Sequence, residues 1–120
     1  MKIKTDIFIC TETWNIKSIN LYKLDGYNLH YSEGNLNIAD DVIVYVKKNV
    51  RYGVNIIKIA GMNVIRVDLI DQQNNKYIIT TIYKLHSITI SDFNLALEKY
   101  LKENSKIENQ IIIGDMNVNL

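Results

Sequence analysis

The chain has 120 residues, of which 48% are hydrophobic and 22% charged, with 14 basic against 13 acidic side chains and a net charge of +1. Such a composition excludes a disordered tail, a fibre and a pair of full domains, and it supplies no bulk basic field that would by itself announce nucleic-acid binding. No apolar run is long enough to span a bilayer, and Met1-Lys2-Ile3-Lys4-Thr5-Asp6 holds no signal-peptide core. The expectation is an intracellular, unexported protein with no membrane partner.

Asp6-Ile7-Phe8-Ile9-Cys10-Thr11 reads as a strand buried on both faces, the pattern of a central strand in a sheet covered by helices. The lone cysteine, Cys10, is expected there as a buried structural thiol with no disulfide-linked partner. Glu12 follows at once, where open α/β sheets put their chemistry, although a carboxylate there can also simply mark the strand's exit into solvent. Residues 15–25 suggest a loop with one helical turn. Gly26 to Tyr31 alternates as a short strand, and Glu33 to Asn37 is a turn-rich loop. His30 has no second His or Cys at ligand spacing and reads as a surface or satisfied polar residue.

Val42-Ile43-Val44-Tyr45-Val46 is a strongly β-branched strand, closed by the solvated Lys47-Lys48-Asn49. Val54 to Ile59 and Met62 to Ile70 form a hairpin that turns at Ala60-Gly61. After the polar turn Gln72 to Lys76, Tyr77 to Tyr83 makes a further strand. The spacing of Phe93, Leu97, Tyr100 and Leu101 predicts a helix over 91–102, with Ser91 as its N-cap. A last strand begins at about Gln110 and ends in Gly114-Asp115-Met116-Asn117.

That ending sets Asp115 and Asn117 on one face of an extended chain, because residues two apart share a face. Gly114 leaves room for a close approach of backbone or ligand. Taken alone, the motif is also what an ordinary strand-end turn looks like. If the first and last strands lie in one sheet core, Glu12 and Asp115 converge. Two carboxylates and an amide oxygen then make an all-oxygen site that suits Mg²⁺ or Mn²⁺ rather than zinc.

At this point the sequence resembles a known family. Asp6 to Trp14 looks like the glutamate-bearing strand of the endonuclease/exonuclease/phosphatase superfamily, and Ile111-Ile112-Ile113-Gly114-Asp115-Met116-Asn117 is similar to its Gly-Asp-Phe-Asn motif. Between them, Val42 to Lys47 and Ile82-Tyr83-Lys84-Leu85-His86-Ser87 resemble segments of the apurinic-type endonuclease domain of non-LTR retrotransposons. The resemblance implies an α/β fold, a DNase I-like two-sheet sandwich with helices outside, present over 1–120 as a single partial domain incomplete at both ends. It implies Glu12 as the metal ligand, with Mg²⁺ or Mn²⁺ as cofactor. Tyr83 would be the active-site tyrosine near the scissile phosphate, Asp115 the base or orienter of the attacking water, and Asn117 the holder of the phosphate or that water. The implied reaction is hydrolysis of a DNA phosphodiester, nicking target DNA for a reverse transcriptase in a full-length form with access to the nucleus.

The sequence departs from the family at three places, and the first is that the family's opening strand, with its asparagine, is expected before Met1. Tyr83 is followed by Lys84-Leu85-His86 where relatives carry proline, and Leu120 comes before the family's Ser-Asp-His motif. Neither His30 nor His86 matches that histidine, so the fragment by itself is expected to be inactive. The alternatives are a non-catalytic relic or nucleic-acid interaction protein, and a phosphatase of the same superfamily acting on phosphoinositides or sphingolipids.

Overall fold

Val42-Ile43-Val44-Tyr45-Val46 is buried along its whole length, and the fold is assembled outward from it. In the computed structural model, which describes residues 5–11, 20–32 and 42–116, this segment is strand β3 (Val42–Lys47). It lies between β1 (Ile7–Thr11) and β2 (Tyr27–Ser32), antiparallel to both, in a three-stranded sheet of order β1-β3-β2. The second sheet has order β4-β5-β6-β7, from β4 (Arg51–Ile59), β5 (Met62–Ile70), β6 (Lys76–Lys84) and β7 (Gln110–Asp115). β4, β5 and β6 form an antiparallel meander, whereas β6 and β7 are parallel and are joined through α1 (Ile90–Glu103). A parallel pair needs such a crossover. The outcome is an α/β fold of two sheets and, among the described residues, one α-helix.

Alternation along the strands creates the layers. Val42, Val44 and Val46 of β3 pack with Ile65, Val67 and Tyr83 of the second sheet, and Ile7, Ile9 and Val54 close this core from its sides. On the far face of the second sheet, Met62, Val64 and Ile82 receive Phe93, Ala96 and Leu97 of α1. Tyr100 of the same helix meets Thr80, hydroxyl to hydroxyl, at 3.2 Å. The outer face of the first sheet carries a smaller aromatic layer, in which Phe8, Tyr22 and Leu29 surround Tyr27, Ile43 and Tyr45. Leu101, expected on the apolar helix face, is 40% exposed and lies off it.

Turn chemistry fixes the hairpins. Ile59 pairs with Met62 across the two-residue turn Ala60-Gly61, and Gly61 has a φ of +78° there. Asn74 takes a φ of 63° in the β5–β6 turn, where the Asp71 carboxylate accepts from the backbone of Gln73 and Asn75. The helix starts earlier than its sequence suggests. Thr89 is the N-cap, its Oγ1 accepting from the Asp92 backbone N–H at 3.1 Å, and Ser91 lies inside the first turn. Both residues suit a cap, and the chain leaving the turn at Ile88 decides between them.

Two further expectations change. β1 is an edge strand of the three-stranded sheet and only partly buried, and Cys10 is an exposed free thiol. Cys10 alternates with Ile9 and Thr11 onto the sheet's outer face, the face turned away from the second sheet. β1 and β7 also lie in different sheets, not in one sheet core. No helix among the described residues is long and apolar enough to cross a membrane.

Candidate active site

The inner face of the second sheet is apolar in successive rows, Thr81 apart. Cross-strand partners read Val54, Val67, Ile79 and Ile111 in one row, and Ile56, Ile65, Thr81 and Ile113 in the next. The row that follows reads Lys58, Asn63, Tyr83 and Asp115. Polar character therefore begins abruptly in one line, at the C-terminal ends of β6 and β7. Register partners share a face of the sheet, so these four side chains belong to the face that meets the first sheet.

Tyr83 sits in the middle of this row and is fully buried. Its hydroxyl lies 3.2 Å from Nε2 of His86, with the two rings edge to face at a centroid distance of 6.3 Å. A tight turn makes that contact possible. The Ile88 backbone N–H donates to the Leu85 carbonyl and the Leu85 N–H to the Gly61 carbonyl, which brings the exposed His86 back over the strand it has just left. Lys84 alternates onto the helix-covered face, where it is buried and its Nζ donates to the Leu85 carbonyl at 3.2 Å. The lysine beside Tyr83 in sequence is thus turned away from the polar row.

Asp115 ends β7 half-buried, beside Tyr83 in register. Gly114 makes this pairing possible. A Cβ at Gly114 would collide with the backbone carbonyl of Ile82, so the close backbone approach expected at this glycine is found. Gly114 faces the helix side and Asp115 the inner side, so one residue gives room and the next gives the carboxylate.

The first sheet reaches the same end. Thr11, Val42 and Ser32 are register partners across it, and Ser32 shares a cleft with Lys58, Asn63 and Leu85. At the opposite end, Asp6 and Ile7 line a groove with Leu69 and Tyr77. β1 therefore runs toward the polar row, and Thr11 is its last described residue. Glu12 and Asn117 lie outside the described residues.

Ser32 is 5% exposed, and its Oγ finds no hydrogen-bond partner among the described residues; the same holds for Oγ1 of the fully buried Thr81. His30 lies on the same face of β2 as Ser32, with Nε2 2.9 Å from the Tyr52 hydroxyl. Burial lowers its pKa below the usual 6.5, which keeps the ring neutral at pH 7. It is a satisfied polar residue, as its sequence context suggested.

No group of three or more His, Cys, Asp or Glu side chains gathers in metal-holding geometry among the described residues. What this end of the molecule offers from those residues is oxygen: the Asp115 carboxylate, the Asn63 amide and the Tyr83 phenol. A hard cation such as Mg²⁺ takes oxygen donors, so the chemistry fits it, with Asp115 as the single described carboxylate of the row.

Sequence reading singled out Tyr83 and Asp115 and passed over Asn63, Lys58 and Ser32, which share their row or the cleft beside it. Their positions follow from register, which the isolated sequence does not display. No protein-family model matches the chain, and no curated protein matches it.

Proposed function

We propose that this chain is part of a Mg²⁺- or Mn²⁺-dependent phosphodiesterase domain of the endonuclease/exonuclease/phosphatase type, a DNA endonuclease like those of non-LTR retrotransposons. The observation that supports this most is the pairing of Tyr83 with Asp115 at the end of the second sheet toward which β1, the strand before Glu12, also runs. In this reading the two-sheet fold is a partial DNase I-like sandwich. Asp115 orients the attacking water or takes its proton, and Asn117 holds the scissile phosphate. Tyr83 offers its hydroxyl to a phosphoryl oxygen, and His86 holds that hydroxyl in direction. Glu12 is the residue that would hold the cation. The chemistry a Mg²⁺ would supply there is polarisation of the phosphoryl oxygen and stabilisation of the leaving one.

The test is a Mn²⁺ titration followed by electron paramagnetic resonance. Glu12→Gln combined with Asp115→Asn should weaken binding at least about tenfold, since the first replaces the anionic oxygen ligand with a neutral one and the second removes a negative charge from the cation's surroundings. Unchanged affinity would remove the shared metal site.

One observation favours a second reading, DNA binding without turnover. Lys84, the cation next to Tyr83, is buried on the opposite face of the sheet rather than offered to a phosphate. The Mn²⁺ titration separates the two: a salt-dependent DNA affinity together with a Mn²⁺ affinity that Glu12→Gln and Asp115→Asn leave unchanged selects the second.

A further inference from the structure

We propose that the cleft between Lys58, Asn63 and Ser32 is a subsite for a second backbone phosphate of a DNA strand whose scissile phosphate lies at Tyr83 and Asp115. This rests on the phosphodiester reading above and adds the direction in which the strand runs.

Three observations carry it. First, the polar row continues past Tyr83: Asn63 and Lys58 are its next register partners, on β5 and β4. From Asp115 to Lys58 there are three strand spacings, about 14 Å, which is long enough to hold phosphates on both sides of one nucleotide. Second, the cleft has a volume of about 850 Å³, and no carboxylate is among the described residues that line it. Lys58 is exposed there, while His30 on the facing wall is kept neutral by burial. Among the described residues one cation thus sets the charge of the cleft, suited to one phosphate. Third, the facing wall holds an unanswered polar group. Ser32 Oγ is buried and finds no partner among the described residues. Leaving a buried hydroxyl unpaired is unfavourable, and a phosphate oxygen is an acceptor of the kind it lacks.

The alternation of β2 explains why Ser32 is available. Asn28, His30 and Ser32 point toward the second sheet, and of the last two only His30 has a tyrosine within reach. Lys58, near the tip of the β4–β5 hairpin, is held over the cleft by the Gly61 turn.

The experiment is fluorescence anisotropy on the whole chain with a short labelled DNA single strand, repeated over a salt series, beside competition by a mononucleotide. Lys58→Gln should weaken strand binding threefold to tenfold, and should flatten the slope of log affinity against log salt by about 0.7, one phosphate contact on a single strand. Lys58→Arg should restore both. Ser32→Ala should weaken strand binding without lowering thermal stability, a combination that a merely structural hydroxyl would not give. Mononucleotide affinity should stay within twofold in all three variants, because one phosphate fills only the Tyr83 end. Strand binding and slope unchanged in Lys58→Gln would overturn the subsite and leave the phosphodiester reading standing. An equal loss on strand and mononucleotide would also overturn it, since Lys58 would then hold the only phosphate. Absence of DNA binding by the unsubstituted chain would overturn the inference and the reading together.

Discussion

The Cα atoms of Tyr83 and Asp115 are direct register partners across the parallel β6–β7 pair. They come from opposite sides of the α1 crossover, so their meeting depends on that helix docking against Ile82 and Val64. Chemistry and fold can be separated at this pair. Tyr83→Phe keeps the buried ring and removes the hydroxyl near His86, a loss of about 0.5–1.5 kcal/mol of stability. It should leave Mn²⁺ affinity within twofold. Asp115→Asn should leave stability within about 0.5 kcal/mol, as for a substitution at a strand's half-exposed end. It should lower Mn²⁺ affinity sharply. If urea unfolding and Mn²⁺ titration gave the opposite pattern, Tyr83 would be the cation's ligand and the assigned roles would be wrong.

Gly114 next to this pair is a purely steric requirement. Gly114→Ala places a methyl group against the Ile82 carbonyl, so β7 must shift away from β6. The expected loss is about 1–3 kcal/mol, the range for overpacking a closely fitted site. Urea unfolding monitored by circular dichroism measures it. A midpoint equal to that of the parent chain would mean that the two backbones are less close than described.

Much of this architecture was legible in the sequence, and the reasons differ from element to element. The β-branched run of β3 and the Ala60-Gly61 hairpin announce themselves through local propensity and turn chemistry. Cys10 was misplaced because an apolar run such as Ile7 to Cys10 looks the same on an edge strand as on a central one. Partners across the sheet decide burial, and the sequence does not name them. Asn63 and Lys58 were passed over for a related reason. Each is an ordinary polar residue in an alternating strand, and only register puts them in line with Tyr83 and Asp115. Thr89 and Ser91 are equally good caps by residue type, so the cap was decided by the turn before the helix.

That last distinction is measurable. Thr89→Ala removes the acceptor for the Asp92 N–H and should cost about 1 kcal/mol. Ser91→Ala, inside the first turn, should change stability by less than about 0.5 kcal/mol. Thermal or urea unfolding of the two variants side by side is sufficient. A larger loss at Ser91 would restore the sequence-based cap.

Exposed apolar residues on β7 predict how the chain behaves in solution. Ile111 and Ile113 share the inner face with Asp115, yet they are 55% and 46% exposed. β7 also ends the order of its sheet among the described residues, and Asp115 is its one charged residue. An edge with so little charge invites pairing with other chains. Ile111→Lys should reduce association in sedimentation velocity at high concentration and leave the unfolding midpoint nearly unchanged. A parent chain that is already monomeric at high concentration would contradict this.

Stability should fall with acidification in two separate windows. Burial lowers the pKa of His30 below its ordinary 6.5, so the unfolded chain binds that proton more readily than the folded one. Its contribution is complete above the unfolded value and is lost as pH falls below 6.5 toward the lowered folded value. Asp71 behaves in the same sense at lower pH. Hydrogen bonds, first from the Asn75 backbone N–H, hold its carboxyl below the usual 3.8, so its contribution is present above that value and lost as pH falls through the folded one. Urea midpoints measured from pH 7.5 down to pH 3 should therefore decline in two steps. His30→Gln should flatten the upper step alone, and Asp71→Asn the lower step alone. An upper step that survives His30→Gln would assign it to another group and show that the imidazole beside Tyr52 is not held neutral by burial.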